Sequence, residues 1–318
     1  MNTLDWLLDS DPAIRWQTMR DLTGATPEEV AAERVRVPRE GLGAQILSSQ
    51  QQDGTWHRPN KPAWLSTLFT MLLLRTTGID PKDPAVKSAV ARSQTNLRWN
   101  NNGGSWNLRP AETGGNPFFE GEVEPCINGG VLALGAYFGH PNENLARRLL
   151  SEQLEDGGWN CEAPKSTHSS FHTTICVLEG MLEYGRAVGS THALASQIAS
   201  ACHRAEEYLL ERRLFRRRST GEIANPQFLE LAFPPRYHYD ILRALDCFRA
   251  ADRPPDSRME EAVALIESRR QPDGRWLLDR AYDEALPFSV GESVGEPSRW
   301  NTLRALRVLR WFRRTMVV

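Results

Sequence analysis

Apolar residues along this 318-residue chain recur every three or four positions, and no long alternating run rich in β-branched residues interrupts them. That periodicity predicts helices throughout. Six of the helical stretches share one register. They open Trp16-Gln17-Thr18, Trp64-Leu65-Ser66, Cys126-Ile127-Asn128, His172-Thr173-Thr174, His238-Tyr239-Asp240 and Trp300-Asn301-Thr302. The third position always holds a residue type that caps helix N-termini. The intervals are 48, 62, 46, 66 and 62 residues, an irregular spacing that still reads as a helical repeat. Between these stretches, residues 4–9, 41–51, 83–97, 142–154, 190–213 and 257–269 have the pattern of outer partner helices. The expected architecture is all-α and a single domain over 1–318, made of about six helical hairpins. If the units close into a ring, the six helix starts meet at one mouth.

A second element recurs in the connections, which are rich in Gly, Pro and Asn. Gln51-Gln-Asp-Gly-Thr-Trp56, Glu155-Asp-Gly-Gly-Trp159 and Gln271-Pro-Asp-Gly-Arg-Trp276 each follow an outer helix and precede an inner one, and Gly103-Gly-Ser-Trp106 is a weaker fourth copy. The Gly supplies a left-handed turn at the helix end, and the Trp ties one hairpin to the next. This arrangement resembles the Gln-Trp repeats of squalene and oxidosqualene cyclases and the related loops of protein prenyltransferases. The resemblance implies an α/α toroid, a double-walled helical barrel around a cavity. The Asp-x-Asp-Asp motif of the protonating cyclases and the Asp-Asp-x-x-Asp motif of metal-dependent terpene synthases are both absent.

Two stretches are similar to the zinc-dependent prenyltransferase β subunit. The run from Phe171-His172-Thr173-Thr174 to Gly180 looks like the segment with its zinc-binding His, and Glu124-Pro125-Cys126 looks like its Asp-x-Cys pair with Glu in place of Asp. The resemblance implies Cys126 and His172 as zinc ligands and Glu124 as a third. The column of helix starts adds a geometric argument. Cys126, His172 and His238 come from three successive inner helices, whose spacing of about 8–10 Å lets side chains converge on one ion. Zinc accepts Cys, His and carboxylate donors, and Cys161, near the Gly-Trp loop, is a fourth candidate. Cys176, Cys202 and Cys247 fall within apolar helical patterns and read as packing residues.

Trp16, Trp64 and Trp300 fill the other three columns and are candidates to line the substrate pocket, together with Asn128, Thr174, Tyr237 and Arg236. Asp240, Tyr239 and Glu124 are the candidate catalytic groups, with Glu120 and Glu122 as further acid/base candidates. Helix capping is the competing reading for Asn128, Thr174 and Asp240. The arginine clusters at 211–218 and 304–314 read as solvated surface.

Composition narrows the classes. A hydrophobic fraction of 40%, a charged fraction of 25% and a net charge of −2 fit a globular protein and give no support for nucleic-acid binding. No apolar run is long enough for a transmembrane segment, the first residues do not resemble a signal peptide, and five cysteines without close pairs do not form a disulfide framework. The cytoplasm is the expected compartment. The expected function is a toroid enzyme with zinc at the cavity mouth, acting on a small or isoprenoid-like substrate. A metal-free cyclase-like enzyme with an aromatic-lined cavity and a non-catalytic helical binding scaffold stay open. So does the need for a partner protein, since prenyltransferases work with a second helical subunit.

Overall fold

The structure, a computed structural model, describes residues 2–99 and 115–315, with side chains through 313. The described residues contain thirteen α-helices, three short 3-10 turns and no strand. Six helices carry the shared register: α2 (Pro12–Leu22), α5 (Ala63–Thr76), α7 (Pro125–Tyr137), α9 (Phe171–Val188), α11 (Ile241–Ala250) and α13 (Arg299–Thr315). Their partners are α1 (Thr3–Leu8), α4 (Gly41–Ser48), α6 (Pro84–Asn96), α8 (Glu143–Ser151), α10 (Ala195–Leu210) and α12 (Glu260–Ser268), each where the apolar spacing placed it. The remaining helix, α3 (Pro27–Arg34), was not anticipated. It buries no residue and is held by a Thr26/Glu29 capping box, so it has no apolar stripe to reveal it.

The predicted caps need correction. Of the six, only Asp240 caps its helix, accepting from Arg243 N at 2.7 Å. Elsewhere the helix starts before the column. Asp11 caps α2 ahead of Pro12, accepting from Ala13 N at 2.8 Å, and Ser170 caps α9. Pro suits the first helical turn because its missing N–H would have no partner there. Thr18, Ser66, Asn128, Thr174 and Thr302 therefore sit inside their helices, where Asn128, Thr174 and Thr302 accept hydrogen bonds from the loops around them.

Contacts lead from one inner helix to the next and back to the first. Trp16 Nε1 donates to Thr77 O just past α5, at 2.8 Å. Helix α5 packs on α7, α7 on α9, α11 on α13 and α13 on α2, while Arg243 of α11 pairs with Glu179 of α9 at 2.7 Å. Helices α7 and α9 approach closely through glycine. A Cβ on Gly180 would lie 2.4 Å from Gly129 O, and one on Gly129 would lie 2.4 Å from Cys176 O. Like ends meet like ends. His172 at the start of α9 bonds Tyr239 just before α11, and Arg186 near the end of α9 reaches Ala250 O at the end of α11. Helices α9 and α11 thus run parallel.

The Gly-Trp elements tie the layers together in the same way three times. Trp56, Trp159 and Trp276 are fully buried. Their indole N–H groups donate at 2.7 Å to Ile46 O, Leu149 O and Ile266 O in the preceding outer helix. Their backbone N–H groups donate at 3.0–3.1 Å to the hydroxyls of Thr67, Thr174 and Thr302 in the following inner helix. Gln50 and Gln153 bridge each turn to the next outer helix, donating to Gly54 O and Ala89 O and to Gly157 O and Ala201 O. In the third copy Arg270 occupies that register and reaches Gly274 O. Gly274 lies against Thr3 of α1, and Thr3 Oγ1 donates to Asp273 O at 3.1 Å, so the last turn rests on the first helix. The fourth copy, Gly103–Trp106, lies outside the described residues.

Candidate functional site: a central cavity and its thiol cluster

A cavity of about 770 Å³ runs between the inner helices and is lined by residues of all six. Leu68, Phe69, Leu72, Ile127 and Leu182 give it an apolar wall. Trp16, Trp300, Tyr237 and Arg236 line it. Trp300 stacks on Phe233 with ring centroids 4.6 Å apart, and the Arg236 guanidinium sits 4.2 Å from the Phe69 ring centroid and pairs with Glu284. Three other predicted lining residues turn to the scaffold. Trp64 packs against Trp99 at 5.4 Å, and Thr174 holds the Trp159 backbone. Asn128 braces Glu122, donating to Glu122 O and accepting from Glu122 N, both at 2.7 Å.

At the end where the inner helices begin, the carboxylate of Glu124 and the thiols of Cys126 and Cys161 lie within 4.8 Å of one another. Glu124 immediately precedes α7, and Pro125 starts that helix so that Cys126 falls in its first turn. Cys126 Sγ is 3.8 Å from Glu124 Oε2 and lines the cavity. Cys161 arrives from the loop after Trp159 and sits 3.4 Å from Thr173 Oγ1. Hydrogen bonding with Cys161, reinforced by burial, pushes the Cys126 thiol well above its ordinary value. The same hydrogen bond holds Cys161 below its ordinary value against the effect of burial. Of the two thiols, Cys161 is the one that ionises first. Nearby Glu122 is buried, and desolvation raises its carboxyl to about 7. Its Oε1 accepts from Glu124 N at 2.7 Å, while Oε2 is buried without a hydrogen-bond partner among the described residues.

The two imidazoles expected beside Cys126 do not enter this group. His172 Nδ1 accepts from Tyr239 N at 2.9 Å, which leaves the ring proton on Nε2. His238 is sandwiched between Tyr282, at 3.6 Å, and Tyr237, at 4.1 Å. The two histidine rings lie 5.7 Å apart, edge to face. Burial lowers His172 to about 4 and His238 to about 3, with His172 adding to the effect on His238. Of the remaining catalytic candidates, Asp240 is a buried cap beside Arg304. Tyr239 is buried with its hydroxyl bonded to Leu214 O. Burial raises both, and neither faces the cavity.

Two thiols and a carboxylate are donors that zinc accepts. Three converging donors leave one position of a tetrahedral shell for another ligand.

Among the described residues no helix is long and apolar enough to cross a membrane. No protein-family model matches the chain, and no curated protein matches it. Among solved structures the chain is similar to the type II terpene cyclase MstE from Scytonema in its apo form, over 90% of this chain and 98% of that one, at 14% identity and a TM-score of 0.32. An MstE variant in complex with geranylgeranyl dihydroxybenzoate, its substrate, is similar over 90% and 97% at 12% identity and a TM-score of 0.31. A variant bound to the product merosterolic acid A covers 88% and 96% at 14% identity and a TM-score of 0.29.

Proposed function

We infer that residues 1–318 form one α/α toroid, an enzyme that holds a small, largely apolar, isoprenoid-like substrate in its central cavity beside a zinc ion. The observation that carries this reading is the convergence of Glu124, Cys126 and Cys161 within 4.8 Å at the wall of that cavity. A volume of about 770 Å³ falls in the range of small-molecule sites, roughly 300–1,000 Å³. The apolar wall favours a hydrocarbon body, and Trp16, Trp300 and Phe69 add aromatic side chains to the lining. Bound zinc supplies Lewis acidity and lowers the pKa of a thiol or water in its open position. Cys161 is the donor that loses its proton more readily, and Cys126 would do so where a cation offset its burial. Glu122, poised near neutral pH behind Glu124, can take up the released proton.

Elemental analysis of the purified protein tests the reading. About one zinc per chain is expected in the wild type, with loss of most of it in Cys126→Ser and Cys161→Ser, because structural and catalytic zinc depend on the full donor set. The buried Cys202→Ser serves as the control that keeps its metal. Stoichiometric zinc in both cluster variants would remove the assignment.

A further inference from the structure

The opposite end of the cavity, where the inner helices finish, is walled by guanidinium groups. Nine arginines and three carboxylates line the cavity as a whole, and six of the arginines form a continuous belt at this end. Arg20 and Arg34 flank Trp16 at 4.6 and 5.1 Å from its ring. Arg34 Nη2 donates to Tyr137 OH at 3.3 Å, and Arg75 lies 5.9 Å from the Tyr137 ring. Arg75 pairs with Glu183, which is also 3.9 Å from Arg186. Arg186 reaches Ala250 O, next to Arg249. Asp246 takes Arg249 at 2.8 Å together with Arg307, and Arg307 returns to Asp21, the partner of Arg20, at 3.6 Å.

The circuit draws on α2, α3, α5, α9, α11 and α13. It sets six guanidiniums against Asp21, Glu183 and Asp246. Arg34 has backbone carbonyls and a phenol for partners, with no carboxylate among the described residues. Arg75 Nε is buried without a hydrogen-bond partner among the described residues. Arg20 and Arg186 are the half-exposed members, so the belt is reached from solvent. Like charges gathered around a low-dielectric cleft focus a positive field, and planar guanidiniums match the oxygens of phosphate groups.

We propose that this belt binds a phosphate-type oxyanion, the polar head of the molecule whose apolar body occupies the cavity. The assignment rests on the reading of the cavity as a ligand site and is independent of the thiol cluster. Helix C-termini attract basic side chains through their own dipoles. A belt serving only that purpose holds no anion.

Calorimetric titration with inorganic diphosphate, decyl phosphate and decanol tests the proposal on the wild type, on the double variant Arg20→Gln/Arg186→Gln and on the surface control Arg218→Gln. Circular dichroism confirms that each variant is folded. The wild type should bind both phosphates saturably, more weakly as salt rises. The double variant should lose about tenfold or more in affinity for both, as expected for removing charge-assisted hydrogen bonds, while the control binds as the wild type does. Tighter binding of decyl phosphate than of diphosphate identifies the head of an organic ligand, whereas diphosphate bound as tightly or more tightly identifies the free anion, so that the belt stands and its link to an apolar body falls. Absence of saturable phosphate binding, or equal loss in the control, overturns it. Decanol bound without either phosphate overturns the belt and leaves the enzyme reading intact. Diphosphate bound by a protein that takes up no decanol upholds the belt and ends that reading.

Discussion

His172 and His238 are held neutral in the fold, at about 4 and about 3, against an ordinary value of about 6.5. Below pH 6.5 the unfolded chain takes up protons that the folded one refuses, so stability falls as pH drops. The contribution is complete above pH 6.5 and is lost progressively toward pH 4 and then pH 3. Melting temperatures measured between pH 7 and 4.5 should decline, and His172→Gln or His238→Gln should flatten that decline. An unchanged slope in both variants would show that other groups govern it. The indole N–H of Trp159 makes an equally specific test. Trp159→Phe removes its bond to Leu149 O in a fully buried setting, with an expected loss of about 1–3 kcal/mol in denaturant unfolding. Trp159→Ala adds a cavity and should cost about 3–5 kcal/mol. The sequence marks this Trp as a tie between hairpins. It does not show that Thr67, Thr174 and Thr302 receive the three tryptophan N–H groups, because those partners lie 11, 15 and 26 residues away.

Between elements, the α7–α9 contact depends on two residues that a helix ordinarily disfavours. Glycine in a helix interior is weaker than alanine by about 1 kcal/mol. Here Gly129 and Gly180 let two backbones approach within the space of one methyl group. Gly180→Ala places its Cβ against a carbonyl rather than a flexible side chain. A loss of about 1–3 kcal/mol from overpacking is expected in spite of the better helix former. A stabilised Gly180→Ala protein would show that the helices separate freely. The existence and order of every helix but α3 were legible from periodicity, since the stripes that face the core repeat along each of those segments. Helix starts were not: the column residues read as caps, while Asp11, Pro125 and Ser170 begin their helices a turn earlier.

Across the whole molecule, Arg307 joins the two ends of the chain. It donates to Gln17 Oε1 at 3.0 Å and pairs with Asp246 and Asp21. Burial opposes its charge, yet these carboxylates raise it, and Asp246 is in turn held well below the usual carboxylate range despite its burial. Arg307→Met should cost about 3–5 kcal/mol, since it leaves Asp246 and Asp21 short of their counter-ion. Chemical denaturation measures it, and a loss under 1 kcal/mol would mean that the ends are held mainly by apolar packing. The 304–314 cluster, read from sequence as solvated surface, thus contributes Arg304 and Arg307 to the interior. Apolar period and turn chemistry are local, and by themselves they determined an all-α chain of alternating inner and outer helices and the Gly-Trp ties between them. Which donors meet was decided by tertiary packing. Cys161 reached Cys126 and Glu124 from a loop, the imidazoles turned to Tyr239 and to each other, and arginines between positions 20 and 307 closed into one belt. Those outcomes depend on how far each helix is rotated and how its loop folds back, and no spacing along a single strand of sequence encodes distances between residues hundreds of positions apart.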